Sequence, residues 1–338
     1  MKIPMKHFIS ACFGMLLLIS ATIKPTIMSG QEVPIIDREI FFGDPEISGG
    51  QISPDGKWLT FIKPYQDIRN IWIKRVDEDF EEARPITADT LRPIPGYFWS
   101  RDSKYILYVQ DKGGNENYHV YAVDPFSKVM GENGVPPARN ITDYEGVRAY
   151  IMNRPKSDPD LLYVGMNDRD PSWHDLYKVC ISTGERELVY QNEDRISGFD
   201  FDYKDRIRLA ARTKSDGSTE ILRYNDGEFS PCYECSFEET CYVADFHKDN
   251  KRVYMVTNKG DRNLTELVLF NPETGEEEFV ERDPENEVDF GGMFLSDVSK
   301  EIILTSYTGD KTRLYFKDEA YKKDYEWLKK ELPGVEIG

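Results

Sequence analysis

Glu116 stands between Asn115 and Asn117 in the stretch DKGGNENYHVYAVDP, just ahead of a strand-like run. A carboxylate flanked by two carboxamides offers acceptors for a charge-assisted hydrogen bond to a cationic group. The same residues also build turns: Asn and Asp cap backbone groups, and Gly113 and Gly114 accept positive φ. A second acid–base constellation is NDRDP, Asn167–Pro171, in which Asp168, Arg169 and Asp170 can touch a substrate or form an ion-pair network between adjacent repeats (blades) of the chain.

Other chemistries find little support. The histidines beyond residue 30 are His119, His174 and His247, each isolated in the sequence, and Cys232-x-x-Cys235 lacks a second pair at zinc-finger spacing. Cys180, Cys232, Cys235 and Cys241 are therefore read as free buried thiols or as a local disulfide such as Cys235–Cys241. No D-x-[DN]-x-[DN]-G run points to an EF-hand, GGNEN is not a phosphate-binding G-x-x-x-x-G-K, and no cofactor is expected. The net charge of −18 with no basic stripe argues against a nucleic-acid partner. Trp58, Trp72 and Trp99 fall in or beside strands, where core packing is the expected role.

The elements that would position these groups recur along the chain. Polar turns near Asp55, Asp102, Asp158, Asp205, Asp249 and Asp297 each precede an apolar strand, at intervals of 44 to 56 residues. Each unit carries a second, alternating strand, as in NIWIKRV, YHVYAVD and HDLYKVC, and several end in tight turns such as STGE and NDGE. About four short strands per period is the signature of a β-propeller blade. The sequence thus predicts an all-β propeller of four-stranded blades across 31–338, with about six recognisable and the last incomplete. Its final strand gives way to a helix over about 319–332, with Tyr321, Tyr325, Leu328 and Leu332 on one face and Pro333 and Gly334 ending it. The unclosed edge left there could take a protein partner.

Residues 1–30 differ from the rest. Lys2 and Lys6 precede the apolar FISACFGMLLLISATI, and small residues follow, which reads as a signal peptide. The expected location is periplasmic or extracellular.

SPDGKWLTFIK resembles the TolB-type propeller repeat. DKGGNENYHVYAVDP, VGMNDRDPSWHDLYKVCISTGE and FHKDNKRVYMVTNKGDRNLTELVLFNPETGE resemble the propeller of secreted bacterial serine peptidases of the prolyl oligopeptidase family, in its aminopeptidase and acylaminoacyl-peptidase branches. The resemblance runs from about Ile35 to Gly338. It implies a propeller of seven or eight blades joined to a C-terminal α/β-hydrolase domain, with inter-strand loops facing the cavity between them. Glu116, Asn115, Asn117, Asp168 and Arg169 then become candidate contacts for a peptide substrate, with Glu116 placed to bind an N-terminal ammonium.

No family catalytic residue transfers. No serine has glycine at both −2 and +2, as a nucleophile elbow requires, and no βαβ pattern exists to carry one. The expectation is the substrate-gating and domain-docking part of an exported peptidase, inactive by itself, whose hydrolase domain is missing. A stand-alone TolB-like scaffold and a non-functional truncated product are the alternatives.

Overall fold

The computed structural model describes residues 35–337, and the signal-peptide reading lies outside them. The described residues fall into two units that part between Pro45 and Glu46. In the first, one short helix, α1 (Arg38–Phe42), is capped by Asp37, whose carboxylate accepts the Glu39 N–H at 2.9 Å.

The second unit is a β-propeller of six antiparallel blades. Blade 1 holds β1 (Ser48–Ile52), β2 (Trp58–Tyr65), β3 (Ile68–Arg75) and β4 (Arg84–Pro85). Blade 2 holds β5 (Tyr97–Trp99), β6 (Ile106–Gln110), β7 (His119–Val123) and β8 (Ala138–Asn140). Blade 3 holds β9 (Ala149–Asn153), β10 (Leu161–Asp170), β11 (Trp173–Cys180) and β12 (Arg186–Tyr190). Blade 4 holds β13 (Gly198–Phe201), β14 (Ile207–Thr213), β15 (Thr219–Asn225) and β16 (Glu228–Cys235). Blade 5 holds β17 (Cys241–Phe246), β18 (Val253–Thr257), β19 (Glu266–Phe270) and β20 (Glu277–Glu281). Blade 6 has three strands, β21 (Gly292–Leu295), β22 (Ile302–Thr308) and β23 (Thr312–Phe316), followed by α2 (Glu319–Glu331).

The middle strands are apolar on both faces because each is sandwiched between neighbouring blades; all five residues of β18 are buried. Buried clusters join consecutive blades. Ile71, Ile73, Trp99 and Ile106 knit blades 1 and 2, and Leu107, Val120, Val164 and Val179 knit blades 2 and 3. Leu176, Phe199 and Leu222 link blades 3 and 4, Leu209, Phe246 and Val268 link 4 and 5, and Tyr254, Phe290 and Tyr307 link 5 and 6. Among the described residues no such cluster combines blade 6 with blade 1. Accordingly β23 has no buried residue, and α2 lies against that flank through Phe316–Tyr325 and Phe294–Tyr321 ring contacts at 5.1 and 6.0 Å. Leu328 and Leu332, expected on the packed face, are exposed.

The repeated turn has a simple chemistry. In blade 1 the Ser53 hydroxyl donates to Asp55 at 2.6 Å and accepts the Trp58 N–H at 3.0 Å; Ser100, Asp102 and Tyr105 repeat this in blade 2. The next residue takes a left-handed conformation: Gly56 at φ 73°, Ser103 at 62°, Asp205 at 58° and Asn250 at 56°. This corrects the sequence register in blade 4, where Asp205 occupies the left-handed position and Asp202 binds the turn amides of Lys204 and Arg206. In blade 6 the left-handed residue comes one position later, at Lys300 (φ 60°), and Asp297 pairs with Lys156 and Lys300 while the Ser296 hydroxyl accepts the Val298 and Ser299 N–H groups.

The left-handed residue also ties blades together. Ser103 accepts the Asp55 N–H at 3.1 Å, Asp205 accepts those of Lys156 and Ser157 at 3.0 and 2.7 Å, and Asn250 accepts that of Tyr203 at 2.8 Å. A disulfide, Cys235–Cys241, adds a covalent tie between β16 and β17, while Cys180 and Cys232 remain thiols.

Candidate functional site

The β6–β7 loop is built around a buried acid. Asp111 pairs with Arg92 at 3.2 Å and accepts the Glu116 N–H at 3.0 Å; Gln110 fixes Arg92 in turn by donating to its carbonyl at 3.0 Å. Gly113 and Gly114 turn the chain at φ 66° and 87°, and the Asn115 carboxamide accepts the Asn117 N–H at 3.0 Å. Glu116 itself sits at φ 59°, a conformation that costs a non-glycine residue about 1 kcal/mol. Its exposed carboxylate has no hydrogen-bond or ion-pair partner among the described residues. The loop therefore holds a rigid, strained backbone under one free carboxylate, while Asn115 and Asn117 build its turn.

NDRDP ends β10 and leads into β11 at the same end of blade 3, and Asp168 and Arg169 are paired within that blade rather than between blades. Arg169 grips Asp175 with two bonds of 2.8 and 2.9 Å and donates to the Asn192 carbonyl at 3.1 Å. Burial raises the Asp175 carboxyl, but hydrogen bonds from Arg169 and the Asn192 N–H outweigh it and leave its pKa lowered. Asp168 accepts from Tyr177 and pairs with Arg186 at 2.7 Å; the Arg186 guanidinium lies between the rings of Tyr144 and Tyr177, at 3.8 and 4.6 Å. Burial, then the Asp168 hydrogen bond and charge, push the Tyr177 phenol to about 12. Asp168 and Arg169 thus have charged partners within the chain, Asp170 accepts only the Ser172 N–H at 2.8 Å, and the Glu116 carboxylate has no partner among the described residues.

The structure adds neighbours that single-sequence spacing could not supply. Arg148, just before β9, lies over the Tyr118 ring at 5.5 Å; its N–H donates to Asn167 at 2.7 Å, and the following Ala149 N–H donates to the Tyr118 carbonyl. Arg148 thereby links the Glu116 loop to the NDRDP loop with a guanidinium that no described carboxylate neutralises. His174 packs edge-on against Tyr150 at 4.7 Å, its Nε2 is buried without a partner, and burial with the Arg148 charge lowers its pKa. The only sequence signal for this grouping is positional: each residue lies at the same end of blade 2 or blade 3.

No protein-family model matches the chain. Two curated proteins do. Dipeptidyl aminopeptidase BIII of Pseudoxanthomonas mexicana is 32% identical over 305 residues, covering 89% of this chain and 42% of that protein. Dipeptidyl peptidase family member 6 of Caenorhabditis elegans is 26% identical over 308 residues, covering 88% of this chain and 41% of that protein. The chain spans less than half the length of the curated relatives it matches. Among solved structures, a prolyl endopeptidase aligns over 80% of this chain and 40% of its own, at 14% identity and a TM-score of 0.49.

Proposed function

This chain is a homologue of the dipeptidyl peptidases over the part of their length that it spans, and on that premise we propose that it is the substrate-gating and docking propeller of an exported peptidase. The observation that carries the reading is the 32% identity to a dipeptidyl aminopeptidase across nearly all of the propeller. Its β6–β7 end faces a partner hydrolase domain, and Glu116 receives the N-terminal ammonium of a peptide. The strained, unpaired Glu116 carboxylate supports this role, because binding a cation gives it the partner it lacks within the chain. The Cys235–Cys241 disulfide supports an oxidising compartment. Acylation belongs to the partner domain, since the propeller carries no nucleophile elbow.

Two measurements test the reading. The 338-residue chain should not turn over a dipeptidyl chromogenic substrate, and clear turnover sinks the assignment. Calorimetric titration with dialanine amide should show binding that N-acetylation removes and that Glu116→Gln weakens about tenfold. Equal affinity for the acetylated peptide, or for the variant, rejects Glu116 as the ammonium contact.

A further inference from the structure

At the opposite end of the same blades lie two arginines that the peptide-gating reading does not use. Arg101 sits in the β5–β6 turn and Arg154 follows β9 directly. Loops between first and second strands emerge at one end of a blade and those between second and third at the other, so this pair stands away from Glu116.

The chain carries 61 acidic residues against 43 basic ones, yet neither guanidinium is within ion-pair distance of a carboxylate among the described residues. Arg101 spends Nε and Nη2 on a single acceptor, the Arg154 carbonyl, at 3.1 and 2.9 Å, which leaves Nη1 free. Arg154 lies 4.5 Å from the centre of the Phe98 ring, and its guanidinium has no hydrogen-bond partner among the described residues. Phe98 packs against the core shared by blades 2 and 3, so the stack holds the arginine in place.

Nearby acids are committed elsewhere. Asp102 serves Ser100 and Lys104, Asp205 serves the Lys156 and Ser157 amides, and Asp297 serves Lys156 and Lys300. Burial and the Arg101 charge together lower the Arg154 pKa, as expected for two like charges left without a counterion.

We propose that Arg101 and Arg154 form an oxyanion subsite on blades 2 and 3 that takes the C-terminal carboxylate of a peptide. The planar guanidinium, held on Phe98 with its edge donors open, matches a carboxylate bidentately, and Arg101 Nη1 supplies a further donor. This rests on the reading that the propeller handles peptides. It adds a second contact, for the other terminus, separate from Glu116.

The test uses the full chain and N-acetyl-dialanine, whose blocked amine takes Glu116 out of the measurement. Calorimetry should show binding of the free acid, with the C-terminal amide at least about tenfold weaker. Arg154→Gln and Arg101→Gln should each weaken the acid about five- to tenfold, and Arg154→Lys should retain part of the affinity because it keeps the charge but loses the fork. Circular-dichroism melts matching the parent establish that the variants fold. Equal affinity for acid and amide, unchanged affinity in both Gln variants, or no binding of the acid overturns the proposal. Inorganic phosphate is run in parallel: phosphate binding without acid binding also overturns it, in favour of a free-phosphate site. Dialanine amide failing while N-acetyl-dialanine binds rejects the Glu116 assignment and leaves this one standing.

Discussion

Asp200, on β13, shows how one carboxyl records its surroundings. Burial, then repulsion from Asp245 on the neighbouring β17, raises its pKa to about 7, and no described residue hydrogen-bonds it. Asp245 is itself raised, chiefly by burial, though Lys300 and Lys156 pull it back. Because the folded pKa of Asp200 exceeds its unfolded value of about 4, its protonated form stabilises the fold below that pH. That contribution is lost as pH rises towards 7. Asp200→Asn should therefore raise the melting temperature at pH 8 and leave it nearly unchanged at pH 4. Equal shifts at both values refute the assignment. Asp175 has the opposite sign: its lowered pKa gives stability that is present above about pH 4 and lost as pH falls further. Asp175→Asn strands part of the Arg169 charge and should cost about 2 to 3 kcal/mol by urea unfolding at pH 7. Such groups were hard to read in advance. The sequence offers Asp168 and Arg169 an ion-pair network between blades, but their partners, Arg186 and Asp175, stand in blade 3 itself and are fixed only once β10 pairs with β11 and β11 with β12.

At the scale of elements, the period of polar turn and apolar strand was plain in the sequence, since each blade repeats one local solution. The register within the turn was less plain. Aspartate both caps turn amides and tolerates the left-handed conformation, so Asp205 in blade 4 resembled Asp55 while standing in the place of Gly56. Arg101, Arg154 and Arg148 gave no signal, since their meaning comes from adjacency between blades about fifty residues apart. The left-handed residue offers the sharpest test at this scale. Asn250→Ala removes the acceptor for the Tyr203 N–H and puts alanine at φ 56°, for an expected loss of about 1 to 2 kcal/mol. Asn250→Gly, which relieves the strain but still lacks the acceptor, should recover part of it. If both variants unfold at the parent's urea midpoint, the residue is not a tie between blades 4 and 5.

For the whole molecule, five inter-blade cores join six blades in series, and β23 presents an unpaired edge among the described residues. Such an edge invites pairing with another strand, while a net charge of −18 opposes contact between copies. The balance should move with ionic strength. Sedimentation velocity at 0.5 M NaCl should show more self-association than at 0.05 M, because the Debye length shrinks from more than 10 Å to about 4 Å. A monomer at both salt concentrations would mean that the edge is protected.

The bonds between successive turns run mostly one way. In blades 2, 4 and 5 the left-handed residue reaches back to accept an N–H from the turn before it. This bond joins blades 1 and 2, 3 and 4, and 4 and 5, so blade 4 alone both reaches back and is reached in turn. Blade 6 satisfies its own turn amides through Ser296 instead. Losing blade 4 would therefore break two of these three joints, and losing blade 6 none of them. By this measure blade 4 is the keystone of the series and blade 6 its most replaceable member.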